Sequence, residues 1–127
     1  MTVADPYNDE VRRCFENPVH AGDLEGSYAR VLTSSVTAPG DGTRLELAAG
    51  MEGDRVAALR FRAWGCPHLI AAAEWYCEAR EGSGAEELGI VDVNEIMERL
   101  SVPVGKTGRI LLLEDAARSL GDSAGGT

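Results

Sequence analysis

Hydrophobic and polar residues alternate with a period of two along two stretches of the chain, and a third stretch is β-prone by composition. Thr43 to Ala49 sets Leu45 and Leu47 on one face and Arg44 and Glu46 on the other. Arg55 to Ala63 does the same, with Leu59, Phe61 and Ala63 opposed to Arg60 and Arg62. Ser27 to Val36 (SYARVLTSSV) is rich in Val, Thr, Ser and Tyr. This pattern predicts half-buried strands. Thr37-Ala38-Pro39-Gly40-Asp41-Gly42 is a turn by composition, and Gly50 to Asp54 a short hairpin loop. Three strands joined this closely imply an antiparallel sheet.

Elsewhere the spacing is helical. A helix is expected from Asp5-Pro6 through Tyr7, Val11, Cys14 and Phe15, stopping before Pro18. Cys14 lies on its apolar stripe and reads as core. The third strand breaks at Gly65. Pro67 then takes a first helical position, where its missing N–H costs nothing, and the Ala-rich run Leu69 to Arg80 continues the helix. Glu81 to Gly84 ends it, and Ala85 to Leu88 forms a short helical turn. Asp92 with Glu95 has capping-box spacing and opens a helix through Ile96, Met97 and Leu100. Ser101 to Thr107 is a loop. Gly108 to Leu120 is an amphipathic helix. Residues 1–5 and 121–127 read as flexible tails on a single domain spanning 1–127.

Charge and cysteine content narrow the partners. The 127 residues fit one domain with a real core, and 44% of them are hydrophobic, as in ordinary globular proteins. The formal net charge is −9, so nucleic acid and anionic membranes are not expected partners. An acidic surface suits solubility or a basic protein partner. No run approaches the ~20 apolar residues of a membrane span. MTVADPYNDE lacks the features of a secretory signal. Three cysteines, at 14, 66 and 77, form no CxxC pair, which fits a reducing cytoplasm.

Cys66 is the residue with chemical promise. It sits at or beside the N-cap of a helix, where free N–H groups and the helix dipole favour a thiolate. It is a candidate nucleophile or metal ligand; the alternative is a buried cysteine that only caps a helix. His68 lies two residues on, so the two side chains diverge. Cys77 shares nearly the same helix face but lies ~16 Å along it, too far to share a metal, and reads as core. His20 falls in a loop and is expected to be solvated. Gly105-Lys106-Thr107 is no phosphate-binding loop, because Leu100 stands where that motif needs glycine and a helix, not a strand, precedes it. Asp41 suits either a turn or a ligand role.

The order of these parts resembles the NifU/IscU-type iron–sulfur cluster assembly scaffolds, from Tyr7 to about Leu120. The residues that carry the likeness are Tyr7 with Phe15-Glu16-Asn17-Pro18, Ala38-Pro39-Gly40-Asp41 before a strand, Phe61-Arg62-Ala63-Trp64-Gly65-Cys66 entering a helix, and Ile110-Leu111 with Glu114-Asp115-Ala116. The resemblance implies an α+β domain, a three-stranded antiparallel sheet with helices packed on it, related to the SufE fold. It implies a non-enzymatic, cytoplasmic protein that works with a cysteine desulfurase and a chaperone, and an exposed tip that holds an iron–sulfur cluster or zinc. Of the family's tip residues, Asp41 and Cys66 match. The first-loop cysteine aligns with Pro39, and the histidine and last cysteine align with Gly108 and Arg109. Two of three thiolates are thus missing, and a cluster takes about four ligands, mostly thiolates. The expectation is a degenerate member with weak or no iron or zinc binding through Asp41, Cys66 and His68. The alternatives are a persulfide acceptor that uses Cys66 alone, although the SufE-type acceptors carry theirs at the position of Pro39, and a purely protein-binding domain.

Overall fold

The computed structural model describes residues 7–40 and 42–125. Residues 1–5, the expected helix start at Asp5-Pro6, Asp41, and residues 126–127 lie outside the described residues. The element order is α1 (Asp9–Glu16), β1 (Arg30–Thr37), β2 (Arg44–Glu52), β3 (Arg55–Trp64), α2 (Pro67–Arg80), α3 (Val93–Arg99) and α4 (Thr107–Gly125), with single 3-10 turns at Ala85–Glu87 and Val104–Lys106. The strands form one antiparallel sheet in the order β1-β2-β3.

Alternation decides which face is buried. Leu45, Leu47, Ala49 and Met51 of β2 and Leu59 and Phe61 of β3 point into the core, while Arg44, Glu46, Arg60 and Arg62 take the opposite face. Each buried leucine contributes roughly 1.5–3 kcal/mol. The cover comes from α2 on β3 and α4 across β1 and β2, with α1 laid on α2. Ser34 also faces inward, and its hydroxyl donates to Ala116 O at 2.9 Å. Cys14 and Cys77 are buried in this core, as their spacing predicts.

Several boundaries differ from expectation, each for a local reason. Asn8 caps α1, its Oδ1 accepting from the Val11 N–H at 2.9 Å, so the helix starts at Asp9. Phe15 leaves the apolar stripe and is exposed. β1 begins at Arg30, because Tyr28 lies across the sheet with its ring against Gly50, where a Cβ would come within 2.5 Å of it. β2 continues through a bulge at Gly50/Met51 to Glu52, leaving only Gly53-Asp54 as the turn, with Gly53 at φ +61°.

α4 also extends beyond Leu120. Residues 121–125, expected as a loose tail, are its last turn. The Arg30 guanidinium donates to Ser123 O at 2.6 Å and so satisfies a terminal carbonyl. Gly121 lets this turn approach the loop after the first 3-10 turn: a Cβ there would lie 2.8 Å from Gly89 N and 2.9 Å from Gly89 Cα.

The outer rim of β3 is covered without a fourth strand. The Val56 N–H donates to Ser83 O (2.9 Å), the Leu59 N–H to Glu81 Oε2 (2.8 Å) and the Phe61 N–H to His20 O (2.9 Å). In return, Gly82 N–H reaches Val56 O (2.8 Å) and Gly22 N–H reaches Phe61 O (2.9 Å). His20 is therefore not a solvated loop residue. It is buried, because the connector that carries it pairs with β3 at Ala21 and turns its ring toward α2.

Gly121→Ala should destabilise the fold although alanine is the better helix former by ~1 kcal/mol. The clash is with backbone, so overpacking of ~1–3 kcal/mol outweighs that gain. Thermal unfolding should show a lower midpoint than wild type; an unchanged or higher midpoint would contradict the close approach.

Candidate functional site

Register brings three segments to one end of the sheet. Thr37 pairs with Arg44 and Arg44 with Trp64, so the 38–43 loop and the exit of β3 lie side by side. The loop is closed by Ala38 N–H donating to Thr43 O at 2.8 Å, with positive φ at Gly40 and Gly42. Glycine is favoured there, since other residues rarely adopt that conformation. Gly65 is tight for another reason: a Cβ would stand 3.0 Å from Leu69 Cδ2 and 3.2 Å from Thr43 Cγ2, so a side chain there would have to push these neighbours aside.

Cys66 is the N-cap of α2, with extended backbone at φ −79° and ψ 163°, and Pro67 follows in the first turn. Its carbonyl accepts from the N–H groups of Leu69 (3.0 Å) and Ile70 (3.3 Å). No side chain caps the helix. The Cys66 side chain is half-buried, whereas Cys14 and Cys77 are enclosed. Burial pushes the Cys14 thiol up to about 11 and the Cys77 thiol well above its ordinary range. Both stay protonated at neutral pH and poorly nucleophilic.

His68 is placed differently from Cys66. It is 3% exposed and lies against the Tyr7 ring at 5.0 Å between centroids. Among the described residues, neither ring nitrogen has a hydrogen-bond partner. Burial first, and then the charge of Lys106, hold its pKa below the usual histidine value, so the ring is neutral. Lys106 thus brings the start of α4 up to the first turn of α2. Gly108 and the half-buried Arg109 follow it, at the positions where the resemblance requires histidine and cysteine. Asp41 lies outside the described residues.

Beside the junction runs an open apolar groove of about 450 Å³, lined by Phe15, Pro18, Ala21, Phe61, Trp64 and Ile70. Trp64 is half exposed on its rim, with the Arg44 guanidinium 5.3 Å over the ring. Sequence reasoning missed this groove; the sign was Trp64 on a strand face otherwise occupied by Arg60 and Arg62.

The donor set does not suit an iron–sulfur cluster. One thiol is at the tip, the other two are locked in the core, and His68 is folded under Tyr7. Among the described residues, no three His, Cys, Asp or Glu side chains stand close enough together to hold a metal ion.

Comparison with known proteins places this arrangement in context. The NifU-like N terminal domain family matches residues 6–120. The iron–sulfur cluster assembly scaffold protein IscU of Haemophilus influenzae is 29% identical over 114 residues, covering 89% of this chain and 90% of that one. IscU of Azotobacter vinelandii is 31% identical over 115 residues, covering 89% of each. FiSufU of Fervidobacterium islandicum AW-1 shares the fold with a TM-score of 0.70 at 16% identity, over 91% of this chain and 96% of that one. A NifU-like protein (N-terminal) of Brucella abortus does so at 0.55 and 18%, over 92% and 81%. With residues 6–120 matched by the family, and relatives near 30% identical over 89% of its length, the chain belongs to the NifU-like N-terminal domain family.

Proposed function

We propose that this protein serves iron–sulfur cluster assembly as a scaffold-family member whose own metal site is degenerate. Family membership and the scaffold function of the IscU relatives support the process. The observation that carries the degenerate reading is that Cys66 alone supplies a thiol at the tip, with Pro39 and Arg109 where the resemblance expects the other two cysteines. Four-fold, mostly thiolate ligation is then out of reach. Any iron or zinc would be held weakly, by Cys66 with Asp41 and, after movement of Tyr7, His68. The role is that of an accessory or binding protein, not an enzyme, in the cytoplasm, with a cysteine desulfurase and a chaperone as partners.

A second reading is favoured by the half-buried, uncapped position of Cys66. There it can act as a sulfur acceptor. The Cys66 thiolate would attack the terminal sulfur of a donor persulfide, the donor's S–S bond would break, and the donor would leave as a thiolate. The helix N-terminus favours the attacking anion.

Alkylation of the native protein with iodoacetamide should modify Cys66 alone, and denaturation should open Cys14 and Cys77 as well, as read by peptide mass spectrometry. Modification of either core thiol in the native state would contradict their burial. Protein purified without oxygen should carry clearly less than one iron or zinc per chain and no cluster absorbance. What metal it carries should vanish in Cys66→Ser. A full cluster per chain would overturn the degenerate reading. Incubation with a cysteine desulfurase and cysteine should add 32 Da, roughly one sulfur, at Cys66 if the second reading holds, and nothing if it fails.

A further inference from the structure

His20 is held between two carboxylates. Its Nδ1 lies 2.7 Å from Glu74 Oε2 and its Nε2 lies 3.2 Å from Glu81 Oε1, while its backbone N–H donates to Glu74 Oε1 at 2.9 Å. Glu74 is 1% exposed, and a carboxylate so placed is costly without a cationic or donor partner. A neutral imidazole carries one N–H and one lone pair. In either neutral tautomer, one ring nitrogen turns its lone pair toward a carboxylate oxygen within contact distance. Only the imidazolium donates to both. The two carboxylates sit at opposite ring nitrogens, so the trio cannot close around a metal ion.

The charges around the ring come from three elements. α2 and its C-cap supply Glu74, Glu78 and Glu81, β3 supplies Arg60, and α1 supplies Arg13. Arg60 donates to Glu81 Oε2 at 3.0 Å, and Arg13 donates to both oxygens of Glu78, at 2.9 and 3.1 Å. Burial disfavours charge on His20, but the hydrogen bonds to Glu74 and Glu81 outweigh it, and its pKa is raised above the ordinary value. Burial also raises Glu81, yet the bonds from the Leu59 N–H and from His20 bring it below the usual range, so it faces His20 as an anion.

The same residue closes the rim of β3, since Phe61 N–H donates to His20 O and Gly22 N–H to Phe61 O. We propose that His20 is a proton-operated clamp on the connector that holds it. As an imidazolium it pins residues 20–22 between α2 and the β3 rim; on losing its proton it releases them while the core stays folded. A raised folded-state pKa gives stabilisation that is complete below the unfolded value of ~6.5 and lost as pH climbs through the folded value. The clamp is tight at mildly acidic pH and loosens on the alkaline side. It is independent of any chemistry at Cys66.

Amide hydrogen exchange across this pH range tests it, with rates converted to protection factors against an unstructured chain at each pH. Gly22 and Phe61 should lose protection as the His20 ring titrates, by about tenfold for each unit by which its midpoint exceeds ~6.5. Amides of the β1–β2 ladder should hold theirs. In His20→Gln, Gly22 and Phe61 should show low protection that does not vary with pH. Glu81→Gln, at a partly exposed position, should lower the His20 midpoint seen by NMR and move the loss of protection with it. Flat protection in the wild type, a fall that survives in His20→Gln, or a His20 midpoint at or below ~6.5 would each overturn the clamp.

Discussion

A three-stranded sheet with helices on one side can bury only one of its faces, and that constraint governs the rest of this molecule. Leu45, Leu47, Leu59 and Phe61 must all point the same way, which fixes the pairing of β1, β2 and β3 to single-residue accuracy. A slip of one would turn the core outward. Because the register is fixed, the ends of the strands are fixed too. The 38–43 loop, the Gly65-Cys66 junction and the start of α4 meet at one end as a result of packing leucines elsewhere.

That dependence separates the shape of the tip from the identity of the groups it presents. The features that build the tip are backbone features: positive φ at Gly40 and Gly42, the absence of a side chain at Gly65, and Pro67 in the first turn of α2. None of them needs a thiolate. Residues without a thiol, such as Pro39 and Arg109, can therefore stand near the half-buried Cys66 without cost to the core.

What could be read from the chain follows the range of the interaction involved. Alternation along β2 and β3, the N-cap position of Cys66, the capping role of Asp92, and the core placement of Cys14 and Cys77 are local signals, and the structure agrees with each. His20 was beyond local reading because its partner Glu74 lies 54 residues away. A hint did exist: Glu74 interrupts the apolar run LIAAAEWYC, and a carboxylate on the buried side of a helix needs a partner somewhere. The extra turn of α4 was hidden for the same reason. Residues 121–125 look like a frayed end until Arg30, from the first strand, is brought to their carbonyls. At the tip, His68 seemed near Cys66 by number, but Tyr7 covers it, and no spacing rule reports which aromatic ring lies on top.

The sealing of β3 has a consequence for how copies of this chain could meet. Its outward N–H groups at Val56, Leu59 and Phe61 are already engaged, so another polypeptide finds no template there. Among the described residues, β1 has no strand on its outer side. A sheet with only one unpaired rim offers backbone pairing in one direction, so edge-to-edge contact through the native strands ends at two copies.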